Sequence, residues 1–153
     1  ARLTRSPPRD IMLIGAEAVC VHYSTAGDQR RIVVARIEGY GFGRLNVDGR
    51  RCLLRDVLLL PDGRVRRRPL GRWIRRHHHY DAEDVRPLLG GGTEVVVVGT
   101  GRFGGVRVNE SLPAQVRSAG GELIIARTSE AVARFNELAS QGRRVAGLFH
   151  LLC

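Results

Sequence analysis

Apolar and polar positions alternate in short segments through the first half of the chain, a pattern typical of β-strands. The predicted strands lie at 31–38, 44–47, 50–54, 56–60, 64–68 and 72–76. Asp48-Gly49 favours a type I′ hairpin turn, because both turn positions need positive φ, and this register sets Leu45 opposite Cys52. Pro61-Asp62-Gly63 predicts the next turn.

The second half alternates between helical and strand patterns. Asp81 predicts the cap of a short helix that ends at Gly90 to Gly92. The four consecutive valines, Val95 to Val98, predict a central strand that is buried on both faces. The elements predicted after it are a helix at 111–119, a strand at 122–127, a helix capped by Thr128 and a strand at 145–151. This succession predicts a partly parallel sheet covered by helices.

Composition is compatible with one folded domain. Apolar residues make up 43% of the 153 residues, and no apolar run approaches the roughly 20 residues that span a bilayer. We expect an N-terminal tail at 1–30, in which alternation at Val19, Val21 and Tyr23 marks one extra strand candidate, followed by a single domain at 31–153. Three widely spaced cysteines without CxxC spacing favour free thiols in the reducing cytoplasm.

All 25 basic residues are arginine, and the formal net charge is +10. A genome rich in G and C explains the general excess, since it favours arginine codons. Residues 64–80 stand apart, because they contain seven arginines and no acidic residue, and without them the excess falls to +3. Arginines could bind phosphates there while an aromatic ring stacks on bases; the alternative is a repulsive edge that prevents strand pairing. The candidate basic patch consists of Arg66, Arg67, Arg68, Arg72, Trp73, Arg75 and Arg76.

A glycine motif follows the valine strand. Gly99, Gly101 and Gly104 have the GxGxxG spacing that brings a backbone close to a pyrophosphate. However, Val106 to Val108 separate these glycines from the next helix, and too few strands follow for a dinucleotide-binding fold. The motif therefore favours a glycine-rich connection that lines a cleft at the strand end. Small-molecule or phosphate binding is the alternative, and no cofactor is expected.

No catalytic or metal-binding set is recognisable along the chain. On an extended backbone only His77 and His79 of the triple histidine point the same way, and no third ligand is evident. His150 lies in the apolar last strand and is predicted to be a core histidine, although its partner cannot be named. Cys153 has no neighbouring base in the sequence. We therefore predict no metal site and no catalytic residues.

Four segments together resemble a known family. They are GYGFGRLNVDGRR at 39–51, DVLLLPDGRV at 56–65, EVVVVGTGRFGGVRV at 94–108, and the whole of 122–153. The chain is similar to a small single-domain family of unsettled function, closest to its bacterial members, which includes the adipogenesis-associated Mth-type domain protein and mitochondrial complex I assembly factor three. The resemblance implies a three-layer α/β fold: a central mixed β-sheet flanked by helices, with an added β-hairpin portion. It implies no established enzyme activity and no cofactor.

The resemblance also implies a function through protein contacts. The expected functional surface is a cleft lined by Tyr40, Phe42, Gly99, Thr100, Gly101, Arg102 and Gly104. The leading hypothesis is a non-catalytic cytoplasmic domain that binds another protein, in the manner of an assembly factor. The second hypothesis is a phosphate or small-molecule site at 99–104, and the third is nucleic-acid binding through 64–76. No membrane partner is expected.

Overall fold

The computed structural model describes residues 33–153 together with the backbone of two short N-terminal strands. These are β1 (Leu13–Ile14) and β2 (Glu17–Ala18), which pair with each other antiparallel. The extra strand predicted at Val19, Val21 and Tyr23 lies outside the described residues.

Ten further strands and four α-helices follow in chain order. They are β3 (Ile37–Gly41), β4 (Arg44–Val47), β5 (Arg50–Leu53), β6 (Val57–Leu59), β7 (Val65–Arg67), α1 (Leu70–Arg76), β8 (His79–Tyr80), α2 (Ala82–Val85) with a 3₁₀ turn (Arg86–Leu88), β9 (Val95–Gly99), β10 (Arg107–Val108), α3 (Leu112–Ser118), β11 (Glu122–Ala126), α4 (Thr128–Ser140) and β12 (Val145–Phe149).

The central sheet has five strands in the order β11-β9-β12-β6-β7. Strand β9 runs parallel to both of its neighbours, β11 and β12, whereas β6 runs antiparallel to β12 and to β7. The valine strand is therefore an inner strand, and all its residues are buried, as predicted. Its side chains divide between two cores because successive residues of a strand point to opposite faces.

One core lies between the sheet, α4 and the hairpin strands β3 to β5; it contains Val95, Val97, Phe135 and Leu45. The other core lies on the opposite face, where Val96 and Val98 pack with residues of α2 and α3. Helices thus cover both faces of a mixed sheet, and a separate antiparallel sheet of order β3-β4-β5 is added to one side. The predicted three-layer α/β class with an added hairpin portion is confirmed.

The Asp48-Gly49 hairpin is also confirmed. Asp48 has φ 47° and Gly49 has φ 75°, as a type I′ turn requires, and Leu45 pairs with Cys52. The first predicted strand is shifted: β3 begins at Ile37 rather than at residue 31. Ahead of it, Arg36 instead holds the hairpin turn, since its backbone N–H donates to Asp48 Oδ1 and its carbonyl accepts from the Asp48 N–H.

The predicted strand at 72–76 is wrong, because these residues belong to α1. The helix begins after Pro69, whose carbonyl accepts the first helical hydrogen bond from the Trp73 N–H. Arg72 and Arg76, which lie one turn apart, both reach Asp81. The alternating apolar pattern of residues 72–76 predicted a strand, but ion pairs with Asp81, further along the chain, favour a helix instead.

Thr128 is the first residue of α4 rather than its cap. Its hydroxyl accepts a hydrogen bond from the Gly101 N–H at 2.8 Å and donates one to the His150 carbonyl at 2.7 Å. This side chain therefore joins two loops at the ends of β9 and β12 instead of capping its own helix.

Within residues 33–153, no helix is long and apolar enough to cross a membrane. The longest, α4, has 13 residues.

We predict that Gly147→Ala destabilises the fold by about 1–3 kcal/mol, because overpacking a close-packed core forces neighbours to move. A Cβ at Gly147, in the middle of β12, would lie 2.7 Å from Phe149 Cζ and 3.2 Å from Phe135 Cδ2. The matched control is the strand residue Gly39, where a Cβ would meet only Asn46 Nδ2 at 3.8 Å. Urea unfolding should show a change within about 0.5 kcal/mol for Gly39→Ala; equal losses in both variants would contradict this packing account.

Candidate functional site

The glycine bend that follows β9 is packed against the segment 151–153. Gly101 has φ +99°, and a Cβ there would lie 2.6 Å from the Cys153 carbonyl oxygen and 3.0 Å from His150 Cδ2. Gly105 is similarly close, since its Cβ would lie 2.9 Å from the same oxygen. Glycine is required at these positions so that two backbone segments can touch.

Every backbone N–H from residue 100 to 106 donates a hydrogen bond within the protein. Arg102 donates to the Leu152 carbonyl, and Phe103 and Gly105 both donate to the Cys153 carbonyl. Thr100 donates its N–H to the Ala126 carbonyl, and Gly101 donates its N–H to the Thr128 hydroxyl. The N–H groups of Gly104 and Val106 donate to carbonyls within the bend, those of Gly101 and Thr100. A phosphate cradle needs free N–H groups, so an anion could bind here only by displacing the segment 151–153.

The residues predicted to line a cleft fall into two groups. Gly99, Thr100 and Gly101 are buried in the bend, whereas Phe42, Arg102 and Gly104 are exposed around it. Tyr40 neighbours Thr128 and Arg102 at the same bend. Burial raises the pKa of its hydroxyl, and these two neighbours oppose that rise. The structure therefore brings the predicted residues to one region.

Three exposed apolar residues lie on loops whose backbone bonds lead to the segment 151–153. Phe42 is 55% exposed, Leu54 is 58% exposed and Phe103 is 69% exposed. Gly43, which follows Phe42, donates its N–H to the Leu151 carbonyl and accepts a hydrogen bond from the Leu54 N–H, while the Phe103 N–H bonds to Cys153. We call Phe42, Leu54, Arg102 and Phe103 the rim surface.

The candidate basic patch is largely used for bonds within the protein. Arg67 donates to the Leu53 and Arg55 carbonyls, and Arg75 donates to the Gly71 carbonyl. Arg72 pairs with Asp84 and Asp81, whose carboxylates raise the pKa of its guanidinium. Arg66 lines an open groove of about 460 Å³ in which Asp48 and Asp62 accompany Arg50 and Arg64. The side chain of Trp73, half-buried on α1, lies near His77 with 6.2 Å between the ring centroids and the two ring planes tilted by 45°.

Arg68 is the member of that patch that lies wholly inside the protein. Its guanidinium donates to Asp84 Oδ1 and Oδ2 at 2.8 and 3.0 Å, to Asp56 Oδ2 at 3.2 Å, and to the Arg76 and His79 carbonyls at 3.0 and 2.7 Å. These five hydrogen bonds match the five N–H donors of an arginine. A sequence rich in exposed arginines gave no signal that this one is internal.

Tyr80 packs on the same guanidinium, with the Arg68 Cζ 5.0 Å from the ring centroid. Burial, and then the neighbouring Asp56 carboxylate, hold the pKa of Tyr80 well above its usual range. We call Asp56, Arg68, Tyr80, Asp84 and His150 the buried network.

His150 joins this network through Asp56. Its Nδ1 lies 2.7 Å from Asp56 Oδ1, and both side chains are fully buried. An ionised carboxylate only accepts hydrogen bonds, so Nδ1 carries the proton. The other ring nitrogen, Nε2, is buried and has no hydrogen-bond partner among the described residues. The prediction of a core histidine is confirmed, and its partner is now identified.

Two further side chains meet His150. Cys153 Sγ lies 3.9 Å from His78 Nδ1, and one ligand-type atom from each of His78, His150 and Cys153 lies within 4.8 Å of the other two. Burial, followed by electrostatic interaction with His77 and His150, lowers the pKa of His78. Sequence reasoning considered His77 and His79 rather than His78; the signal it did not use was the three-residue spacing of His150 and Cys153.

Breaking the buried network at Arg68 should be costly. We predict that Arg68→Met lowers the free energy of unfolding by about 3–5 kcal/mol, because Asp56 and Asp84 lose their buried cation. The matched control is Arg66→Met, two residues earlier on β7, where the exposed side chain should contribute less than about 0.5 kcal/mol. Chemical denaturation of both variants measures the difference, and similar values for the two would contradict the assignment.

The ion pair between Arg72 and Asp81 should produce an acid-sensitive contribution to stability. Burial alone would raise the pKa of Asp81, but the hydrogen bonds and charge of Arg72 outweigh it, so the pKa is lowered. A carboxyl group with a lowered pKa stabilises the fold at pH values above its ordinary pKa of about 3.9. This stabilisation is lost as the pH falls through the folded-state pKa.

Asp81→Asn keeps an oxygen that can accept the capping hydrogen bond from the Glu83 N–H. We therefore predict that this variant is less stable than the wild type at pH 7 by up to about 1 kcal/mol, and that the gap closes as the pH falls from about 4 towards 2. Urea titrations across this range measure the gap; a pH-independent difference would show that the charge plays no part.

The comparisons with known proteins agree with this fold. A family model described as a protein of unknown function (DUF498/DUF598) matches residues 37–150. A conserved hypothetical protein from Pyrococcus horikoshii is 28% identical, with a TM-score of 0.66 over 77% of this chain and 99% of that one.

Two bacterial structures show the same fold at lower identity. An outer membrane protein from Bartonella henselae is 22% identical, with a TM-score of 0.64 over 78% of this chain and 97% of that one. A Mth938-like domain from Bordetella pertussis is 24% identical, with a TM-score of 0.56 over 76% and 85% of the two chains. With the family match covering most of the folded region, the chain belongs to the DUF498/DUF598 family of unknown function and has the Mth938-like fold.

Proposed function

We propose that this protein is a non-catalytic cytoplasmic domain that acts by binding another protein, in the manner of an assembly factor, through the rim surface. The observation that carries the proposal is the exposure of three large apolar side chains, Phe42, Leu54 and Phe103, on loops that converge on one segment. Large apolar side chains exposed on neighbouring loops are characteristic of protein-binding sites.

The loops that carry the rim surface are well supported. The N–H groups of Gly43, Arg102 and Phe103 all bond to carbonyls of the segment 151–153. Because these backbone segments are held in place before a partner arrives, binding would cost little ordering of the loops. The proposed site is therefore a preformed surface.

Arginines give this surface its charge. Arg102 belongs to it, Arg44 lies beside Gly41, and Arg127 lies beside Gly104. The whole chain has a formal net charge of +10. Charge complementarity therefore favours a protein partner that presents apolar side chains flanked by carboxylates.

The other two functions have less support from the geometry. Phosphate binding at 99–104 lacks free backbone donors, because those N–H groups bond within the chain. Nucleic-acid binding through 64–76 loses Arg68 to the interior and Arg72 to ion pairs with Asp81 and Asp84. Nucleic-acid binding is an outcome that the crosslinking test can reveal.

A photo-crosslinking amino acid in place of Phe103 tests the proposal. In cells of the native host, it should label one discrete acidic protein, whereas the same amino acid in place of Ile74 should not. Ile74 is a matched control because it is 59% exposed and lies on α1, which carries none of the rim-surface residues. Labelling of nucleic acid, or equal labelling from both positions, would contradict the proposal.

Affinity measurements with the purified partner then test the surface itself. We predict that Phe103→Ser weakens binding by about 2 kcal/mol, or about 30-fold in Kd, because a central aromatic side chain dominates such an interface. Arg102→Glu should weaken binding most at low salt, since its contribution is electrostatic. Ile74→Ser should leave Kd unchanged. An unchanged Kd for Phe103→Ser would exclude the rim surface as the binding site.

A further inference from the structure

Three side chains with metal-binding atoms converge where the buried network reaches the surface. His150 lies just beyond β12, Cys153 lies three residues later, and His78 immediately precedes β8. One ligand-type atom from each lies within 4.8 Å of the other two. None of the three is part of the rim surface, so the cluster has no role in the proposed function.

Asp56 prepares His150 to act as a ligand. It accepts a hydrogen bond from Nδ1–H, which fixes the ring orientation and, in the neutral imidazole, leaves the lone pair on Nε2. That nitrogen is fully buried and has no hydrogen-bond partner among the described residues. Burying an imidazole nitrogen in this way has a free-energy cost that a ligand would remove. A carboxylate behind a histidine is also the common arrangement around protein-bound zinc.

The backbone holds the three residues near one another. The His150 N–H donates to the Gly99 carbonyl, and the Cys153 carbonyl accepts from both Phe103 and Gly105. On the other side, the His78 carbonyl accepts from the Arg107 N–H. Gly101 also lies against both residues, since a Cβ at this position would touch the His150 ring and the Cys153 backbone. The glycine bend is thus needed for these two side chains to share one site.

We propose that His78, His150 and Cys153 bind a single divalent cation of the Zn²⁺ class, with Asp56 acting as the positioning residue for His150. Two imidazole nitrogens and one thiolate form a donor set that selects zinc and its chemical relatives. Magnesium and calcium are disfavoured because they require oxygen ligands.

The distances are compatible with this assignment. Zinc bonds of about 2.0–2.1 Å to nitrogen and about 2.3 Å to sulfur place tetrahedral ligands roughly 3.3–3.6 Å apart. The present separations of up to 4.8 Å must therefore shorten by up to about 1.5 Å, and rotation of the His78 and Cys153 side chains about their χ angles can supply this change. Three protein ligands leave a fourth position for water or another ligand.

Cobalt(II) is the first probe, used with the full chain free of any affinity tag and stripped with a chelator. We expect one cobalt ion per chain, with the intense visible bands of a four-coordinate ion and a thiolate-to-cobalt charge-transfer band in the near ultraviolet. Zn²⁺ should displace the cobalt. The charge-transfer band should vanish in Cys153→Ser, and His78→Ala should weaken binding at least about 10-fold, as loss of even a supporting residue commonly does.

Two matched controls separate this site from general binding. His79→Ala removes an exposed neighbour of His78, and Cys52→Ala removes the other cysteine that the structure describes; both should keep the cobalt spectrum. Circular dichroism establishes that each variant is folded. Weak octahedral spectra in the wild-type protein, or full spectra in Cys153→Ser, would overturn the proposal.

Thiol alkylation provides a readout independent of cobalt. Zn²⁺ should protect Cys153 from iodoacetamide at least about 10-fold, because the metal-bound sulfur is no longer a free nucleophile. In His78→Ala the protection should be lost at the same zinc concentration. If Cys153 reacts equally fast with and without Zn²⁺, it is a free thiol beside His150 and the metal proposal is wrong.

Discussion

The buried carboxylate of Asp56 accepts hydrogen bonds from Arg68 at Oδ2 and from His150 at Oδ1. A charge without access to water is costly unless it is paired and fully hydrogen-bonded. Asp84 shares the same arginine and is also paired with Arg72. The interior can therefore be built only when β6, β7, α2 and the end of β12 are all in place.

This constraint decides where the chain goes after the sheet. Once His150 is held by Asp56, residues 151–153 run beside the glycine bend, and the bend donates its N–H groups to them. The rim surface forms on the outer side of that contact, and the cluster of His78, His150 and Cys153 forms at its edge. The rim surface and the metal-binding cluster thus both depend on the contact between the glycine bend and residues 151–153, although they consist of different side chains.

Sequence patterns predicted correctly those elements that are determined by residues close together in the chain. The Asp48-Gly49 turn needs only positive φ, and the buried position of Val95 to Val98 follows from their unbroken apolar character. Residues 72–76 were mistaken for a strand because the ion pairs that hold them as a helix reach Asp81 and Asp84. The candidate sites were harder still: Asp56 is 94 residues from His150, and His78 is 75 residues from Cys153. A sequence pattern that spans only a few residues cannot predict contacts between residues so far apart in the chain.

The protonation of His150 tests the central claim most directly. Nitrogen-15 NMR of a protein labelled at histidine distinguishes a protonated from an unprotonated ring nitrogen through couplings to the ring carbons. At neutral pH, in chelator-treated protein, the account predicts a proton on Nδ1 of His150. An Nδ1 without a proton would contradict the hydrogen bond to Asp56, from which both the buried network and the orientation of Nε2 in the metal site follow.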